Sequence, residues 1–363
     1  MNAEIGVAVV GFGLGGRVFH APFVSAVPGL KLEAIVQRRG DEAAKAYPET
    51  RILRSIEEAL SDDAVQLVVV STPNETHYAL AKQALQAGKH VVIDKPFAST
   101  SVQAAELVAL AAERGLVLVP FHNRRWDGDF VTVKNLLRDH AVGRLVTFES
   151  HFDRYRPMPR ENTWKESADD ANGMLFDLGP HLVDQCVALF GTPETITASV
   201  RRDRDKTEIE DAFDITLKYT INGHELRAHC RTSMLACDAA PRFLLHGTAG
   251  SFRKYGLDPQ EPTLVAGAKV PKMGSGDAWL EEEESAWGTL TTAPDLTQPT
   301  KLDRRIIETE RGDYRNYYAN VRDAIQGTTP QAVPAADGFR VIRLLELARQ
   351  SSFEGRTLMI DFK

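Results

Sequence analysis

Two hydrophobic patterns divide the chain. Through residue 122, short continuous apolar runs alternate with helical periodicity. Ile5–Val10, Leu30–Val36, Gln66–Ser71, His90–Ile93 and Leu116–Val119 read as strands. Continuous β-branched runs of this kind suit strands buried on both faces. Helices are predicted through Val27 and over Asp41–Tyr47, Ser55–Ser61, Glu75–Ala87 and Val102–Arg114. Gly88 and Gly115 stop the last two. Repeated β-α-β order implies a parallel, doubly wound sheet with right-handed crossovers.

Beyond residue 122 the pattern changes. Asp127–His140 and Gly179–Phe190 read as helices, and Arg144–Asp153 alternates like a strand. Strand-like runs follow at Thr195–Arg202, Ala212–Tyr219, Glu225–Thr232, Arg242–His246 and Ser251–Lys254, with Asn222-Gly223 as a hairpin turn. This predicts a mostly antiparallel sheet, open to solvent on one face and covered on the other. Residues 256–310 carry few periodic signals. Asp313–Gln326 and Ala335–Ser351 read as amphipathic helices. The fold class is therefore α/β: a doubly wound N-terminal domain over 1–122 and a C-terminal α/β domain with a mostly antiparallel sheet over 123–363. The C-terminal helices are candidates to pack back on the first domain.

Composition narrows the function classes. The 363 residues hold 43 Lys+Arg against 50 Asp+Glu, a net charge of −7, with 43% hydrophobic residues. That is an ordinary globular chain, and its acidity argues against general nucleic-acid binding. Cys186, Cys230 and Cys237 are too few and too scattered for a disulfide framework or a zinc signature; no metal is expected, because lysine and histidine can supply the charge and proton roles. No signal-like or membrane-length apolar run is present, and the expected compartment is the cytoplasm.

Three clusters carry candidate chemistry. Gly11-Phe12-Gly13-Leu14-Gly15-Gly16 fits GxGxxG between a predicted strand and a predicted helix. The first glycine allows a tight turn, the second lets a pyrophosphate approach, and the third lets helix and strand pack closely. The bland alternative is a βα turn without a ligand. The second strand ends Gln37-Arg38-Arg39 with no carboxylate for a ribose 2′-hydroxyl, and guanidiniums suit a 2′-phosphate. NADP is therefore expected, with NAD the alternative and a pair of surface arginines the bland reading.

The second cluster, Thr72-Pro73-Asn74…His77 and Asp94-Lys95-Pro96, begins at the carboxyl ends of predicted parallel strands, where such sheets bind ligands. Lys95 can hydrogen-bond a substrate hydroxyl and stabilise a developing alkoxide; otherwise it is a surface lysine. In the third, Asp177 and His181 lie four apart, with Pro180 placing a helix start near Gly179. His181 suits general acid–base work near neutral pH. Read alone, the two are an N-cap carboxylate and a core histidine.

These motifs together resemble the Gfo/Idh/MocA oxidoreductase family over essentially the whole chain, including the stretch Asp313–Tyr318. The family usually carries Glu-Lys-Pro; Asp94 keeps the carboxylate one methylene shorter. The resemblance implies a catalytic triad of Lys95, Asp177 and His181, and a Rossmann domain followed by an open-faced sheet that often serves oligomer contacts. A homodimer or higher homo-oligomer is expected on that basis. Residues 122–130, 243–251 and 254–261 further resemble the NADP-dependent scyllo-inositol dehydrogenase branch. By that resemblance Asn123, Arg125 and Trp126 lie near nicotinamide and substrate. Arg154, Tyr155 and Trp164 are looser candidates for the pocket wall, with domain packing as their alternative.

The expected reaction is reversible hydride transfer between nicotinamide and a secondary hydroxyl of a cyclic polyol or sugar, with scyllo-inositol and its inosose foremost. Rival readings are a dehydrogenase of another ring, a dinucleotide-sensing regulator, and an enzyme that retains NAD tightly for glycoside cleavage.

Overall fold

The computed structural model describes residues 4–160, 166, 172–277 and 279–362. It divides into two compact units: 1–126 with 260–280 and 313–342, and 127–259 with 281–312 and 343–363.

The first unit is built on β1 (Ile5–Val10), α1 (Ala21–Ala26), β2 (Leu30–Val36), α2 (Glu42–Ala46), β3 (Arg51–Leu53), α3 (Ile56–Leu60), β4 (Leu67–Val70), α4 (His77–Gln86), β5 (His90–Ile93), α5 (Ser101–Arg114) and β6 (Leu118–Pro120). The strands form one parallel sheet in the order β3-β2-β1-β4-β5-β6. Every residue of β1 and β4 is buried, as their unbroken apolar runs require. The sequence reading leaves β3 unassigned. It is a three-residue edge strand beginning with an exposed arginine, too short for a periodic signal.

In the second unit, α6 (Gly128–Arg138), β7 (Leu145–His151), α7 (Met174–Asp177), α8 (Gly179–Phe190), β8 (Thr195–Arg201), β9 (Ala212–Ile221), β10 (His224–Ser233), β11 (Phe243–Gly247) and β12 (Gly250–Lys254) follow in order. The chain then returns to the first unit for α9 (Gln260–Val265). It adds β13 (Gly288–Thr292) and β14 (Asp303–Ile307) to the second, and α10 (Arg315–Ile325) to the first. Helix α11 (Ala335–Glu354) begins in the first unit and ends in the second, where β15 (Leu358–Met359) closes the chain's last pairing.

The first unit thus includes segments 260–280 and 313–342, which a single boundary after residue 122 assigns to the second. The reason is apolar burial. Leu264, Tyr314, Tyr317, Tyr318 and Val321 share one core with Val7, Val9, Phe23 and Phe121. The Phe121 and Tyr317 rings meet edge to face at 4.9 Å.

Nine strands make the second sheet, ordered β14-β13-β12-β11-β7-β10-β9-β8-β15. All neighbours are antiparallel except β7 and β10. Asn222 and Gly223, at φ 53° and 78°, close the β9–β10 hairpin as expected. The sequence reading misses β13 and β14, which lie in the stretch with few periodic signals. It also misses α7 and α9, of four and six residues.

Helix α8 packs on β10, and its Leu182, Val183, Cys186 and Val187 are all buried. Cys186 and Cys230 bring their sulfurs to 3.5 Å, and all three thiols are free. A buried arginine fixes the helix. Arg242 donates to Gln185 Oε1 at 2.8 Å and to Ser150 Oγ at 2.5 Å, and its guanidinium lies 3.5 Å from the Asp129 carboxylate. Among the described residues, no helix is long and apolar enough to cross a membrane.

Arg242→Ala should destabilise the fold by about 3–5 kcal/mol, because it strands the buried Asp129 charge. The urea midpoint measures this. The double variant Asp129→Ala/Arg242→Ala should recover part of the loss, and additive losses would place the cost elsewhere.

Candidate active site

In the six-stranded sheet the order reverses between β1 and β4, and open α/β sheets bind ligands at the carboxyl ends beside such a reversal. Two loops leave there, over 11–16 and 71–77. Gly11 sits at φ +101°, and a Cβ on it would lie 2.1 Å from the Ser71 carbonyl oxygen. A Cβ on Gly16 would lie 2.0 Å from the Gly11 oxygen. A Cβ on Gly13 would meet nothing within 4 Å. These are the three requirements of a pyrophosphate cradle: a tight turn, backbone that can be approached, and close helix packing. A wide helical turn over Gly15–His20 leads into α1 and offers its first N–H groups toward the loop. Leu14 is exposed, and Phe12 packs edge-on against Tyr47 at 6.0 Å. Burial pushes the Tyr47 phenol up to about 12.

At the end of β2, Gln37 is not free to turn outward. Its Oε1 accepts from Ala43 N at 2.9 Å and its amide donates to Glu42. Arg38 and Arg39 are exposed. Arg54, just past the unpredicted β3, donates to the carbonyls of Gln37 and Gly40, each at 2.9 Å. It shapes the loop that presents the two arginines. Sequence reasoning misses it because the strand carrying it gives no signal.

Asp94 lies in the loop floor, at the carboxyl end of β5. Its Oδ2 accepts from Ser71 Oγ at 3.0 Å and from His20 Nε2 at 3.2 Å, and its Oδ1 accepts the Lys95 backbone N–H at 2.7 Å. Burial alone would raise this carboxyl. The His20 hydrogen bond and the charges of His77 and Lys95 outweigh it and hold Asp94 well below the usual carboxylate range. His20 is fully buried, with Nδ1 2.6 Å from the Tyr318 hydroxyl. Burial and the Asp94 charge push the Tyr318 phenol well up, so it stays a donor. The consistent chain is Tyr318 O–H to His20 Nδ1, and His20 Nε2–H to Asp94. Neither His20 nor Tyr318 is visible from sequence as part of a site. A lone histidine in an apolar helix reads as core.

Lys95 follows Asp94 directly, its side chain half-buried, and the Lys95–Pro96 peptide is cis. His77 is buried, with one ring nitrogen 2.8 Å from the Pro96 carbonyl and the other 2.8 Å from the Thr72 carbonyl. It therefore ties the loop after β4 to the loop after β5. Thr72 and Thr76 pair their hydroxyls at 2.6 Å, and Thr76 also donates to Pro73 O. Asn74 opens the helical turn before α4. In the 122–126 stretch Asn123 is buried, and Trp126 meets Tyr317 edge-on at 5.5 Å. Arg125 donates to Asp337 at 2.9 Å and to Ala332 O at 2.8 Å within the first unit.

In the second unit, Asp177 ends α7 and His181 sits in the first turn of α8. Leu178 between the two helices keeps right-handed helical angles, φ −106° and ψ −29°, so the spacing of one turn carries across. Pro180 lies in the first turn, as the sequence predicts. His181 is buried at 7% exposure and Asp177 is half-buried. Gln185, one turn beyond His181, is the residue held by Arg242. Tyr155 is exposed and forms a bridge to Leu235. Trp164 lies outside the described residues.

Tyr318→Phe should cost about 1–3 kcal/mol in denaturant unfolding, since it leaves a buried ring nitrogen without its donor. A loss below measurement error would show that His20 is oriented by other contacts.

Residues 5–122 match the family model described as the oxidoreductase family NAD-binding Rossmann fold, and residues 134–360 match that of its C-terminal alpha/beta domain. The chain is 39% identical to the uncharacterized oxidoreductase YdgJ of Escherichia coli, over 99% of this chain and 100% of that protein. It is 35% identical to IolW of Bacillus subtilis, a scyllo-inositol 2-dehydrogenase (NADP(+)), over 98% and 96% of the two chains. The solved structure of Bacillus subtilis yvaA superposes with a TM-score of 0.92 at 35% identity, covering 99% of each chain. The phosphate-loop geometry and both domain matches lead to one assignment: the chain belongs to the Gfo/Idh/MocA oxidoreductase family.

Proposed function

We propose that this protein is an NADP-dependent dehydrogenase of a cyclic polyol or sugar, with scyllo-inositol and its inosose the nearest substrate pair. The observation that carries the reading is Lys95, set at the carboxyl end of β5 beside the glycine loop, with its own backbone N–H held by an ionised Asp94. The name of the relative IolW supports both the substrate class and the cofactor.

The residues fit the dinucleotide. Gly11–Gly16 would hold the pyrophosphate, and Arg38 and Arg39 the 2′-phosphate. Bound nicotinamide supplies the hydride acceptor or donor. Lys95 Nζ polarises the reacting oxygen and stabilises it as charge develops. His181 takes the hydroxyl proton during oxidation and returns it in reduction. Asp177 orients the substrate or the imidazole. Asp94 fixes the backbone that presents Lys95.

Lys95→Ala should lower kcat/KM by about 100-fold or more while dinucleotide affinity stays within a few-fold. Steady-state kinetics with fluorescence titration of NADPH tests this, and wild-type turnover would reject the role. His181→Ala should remove an ionisation from the pH profile of kcat/KM. An unchanged profile would count against His181 as the acid–base group. Arg38→Asp should weaken NADPH about 10-fold or more relative to NADH. No change in that ratio would move the phosphate contact elsewhere. Tight dinucleotide binding with no redox on any ring would instead favour a sensing role.

A further inference from the structure

We propose that Arg54 is a further ligand of the cofactor's 2′-phosphate, beside Arg38 and Arg39, and that it sets the choice of NADP over NAD together with them. The inference rests on the NADP reading and adds to it a residue from a different strand.

The strands β1, β2 and β3 end in line. Val10 is the register partner of Val36, and Val36 of Leu53. Gly11, Gln37 and Arg54 are therefore the first residues beyond them, and Gly11 N and Gln37 N still donate to the carbonyls of Val36 and Leu53, each at 3.0 Å. The Arg54 side chain turns back over the end of β2, because its Nη1 donates to the carbonyls of Gln37 and Gly40, both at 2.9 Å. It lies against the loop where dinucleotide folds hold the adenosine ribose.

The geometry is prepared from both sides. The Arg54 N–H donates to Glu58 Oε1 at 3.1 Å, and that oxygen also accepts from Ser55 N and Ser55 Oγ in the capping box of α3. Gly40 takes φ +83°, a turn that glycine makes without strain, and its carbonyl reaches the same nitrogen as that of Gln37. Arg38 and Arg39 are the residues of the arc between those two carbonyls. Both N–H groups of Nη1 are thus spent on the loop. The other edge of the guanidinium, Nε–H with Nη2–H, has no partner among the described residues, and neither have the Arg38 and Arg39 guanidiniums. All three side chains are exposed, so a ligand can reach them.

That open edge is the fork that matches two phosphate oxygens. A clamp on the loop needs only Nη1, and the fork is left over for a ligand. The carboxylates that border the loop are already engaged: Asp41 pairs with Lys45 at 3.0 Å, and Glu42 accepts from the Gln37 amide. Guanidiniums gathered around one short loop without a counter-charge of their own suit a dianionic phosphate rather than a neutral 2′-hydroxyl.

The test is fluorescence titration of NADPH and NADH with wild type, Arg54→Ala, the double variant Arg38→Ala/Arg39→Ala and the triple variant. Wild type should bind NADPH more tightly than NADH. Arg54→Ala should weaken NADPH by about 10-fold or more and leave NADH within about twofold, which also shows the dinucleotide fold intact. Removing Arg54 from the double variant should still lower NADPH affinity relative to NADH by at least about threefold. If the double and triple variants share one NADPH-to-NADH ratio, Arg54 acts only by holding the loop, and the direct contact is overturned. Unchanged NADPH affinity in Arg54→Ala, or equal losses of both nucleotides, overturns it as well. Wild type that binds NADH as tightly as NADPH rejects the NADP reading and the subsite with it. These affinities are read without a ring substrate, so they decide the role of Arg54 whether or not any ring is turned over.

Discussion

Asp94 must keep its charge where burial opposes it, and the dinucleotide end of the protein is arranged around that requirement. Three donors reach it: a hydroxyl from the β4 loop, an imidazole from the helix after the phosphate loop, and the N–H of Lys95. Each comes from a different segment that follows the carboxyl end of a strand. Satisfying one carboxylate therefore fixes the positions of all three. The same crowding explains Gly15, where a Cβ would lie 2.4 Å from Ser71 Oγ and 2.6 Å from Asp94 Oδ2. The buried tyrosine behind His20 extends the chain of donors and comes from α10, far along the sequence. That is a physical reason for a late segment to belong to the first unit.

The second unit solves a similar problem with a cation. Arg242 lies buried under α8 and donates to both Gln185 and Ser150. The bond to Gln185 sets the register of α8 one turn beyond His181. An arginine with a planar fork can hold a helix and a strand at once, which a lysine could not.

The sequence makes the sheet of the first unit legible because Val- and Ile-rich parallel strands are buried on both faces and leave unbroken runs. Residues 5–10, 30–36 and 90–93 fall where the pattern puts them. The glycine loop and the start of α8 at Gly179 are equally readable, since glycine and proline act locally. What depends on contacts between distant segments is not. His20 looks like any core histidine until Tyr318, 298 residues later, is placed against it. Arg54 hides behind a three-residue strand, and β13 and β14 have no clean alternation. Arg125 shows the converse: an arginine in a motif stretch can be engaged by its own unit, through Asp337.

The central claim is that the protein moves a hydride between a ring carbon and a nicotinamide. The most direct measurement is the mass spectrum of the reduced cofactor after wild-type protein and NADP are incubated with ring polyols deuterated at the hydroxyl-bearing carbons. The account predicts that one deuterium appears on the nicotinamide and that turnover is slower than with the protium ring. Bound cofactor that acquires no label from any ring would contradict it.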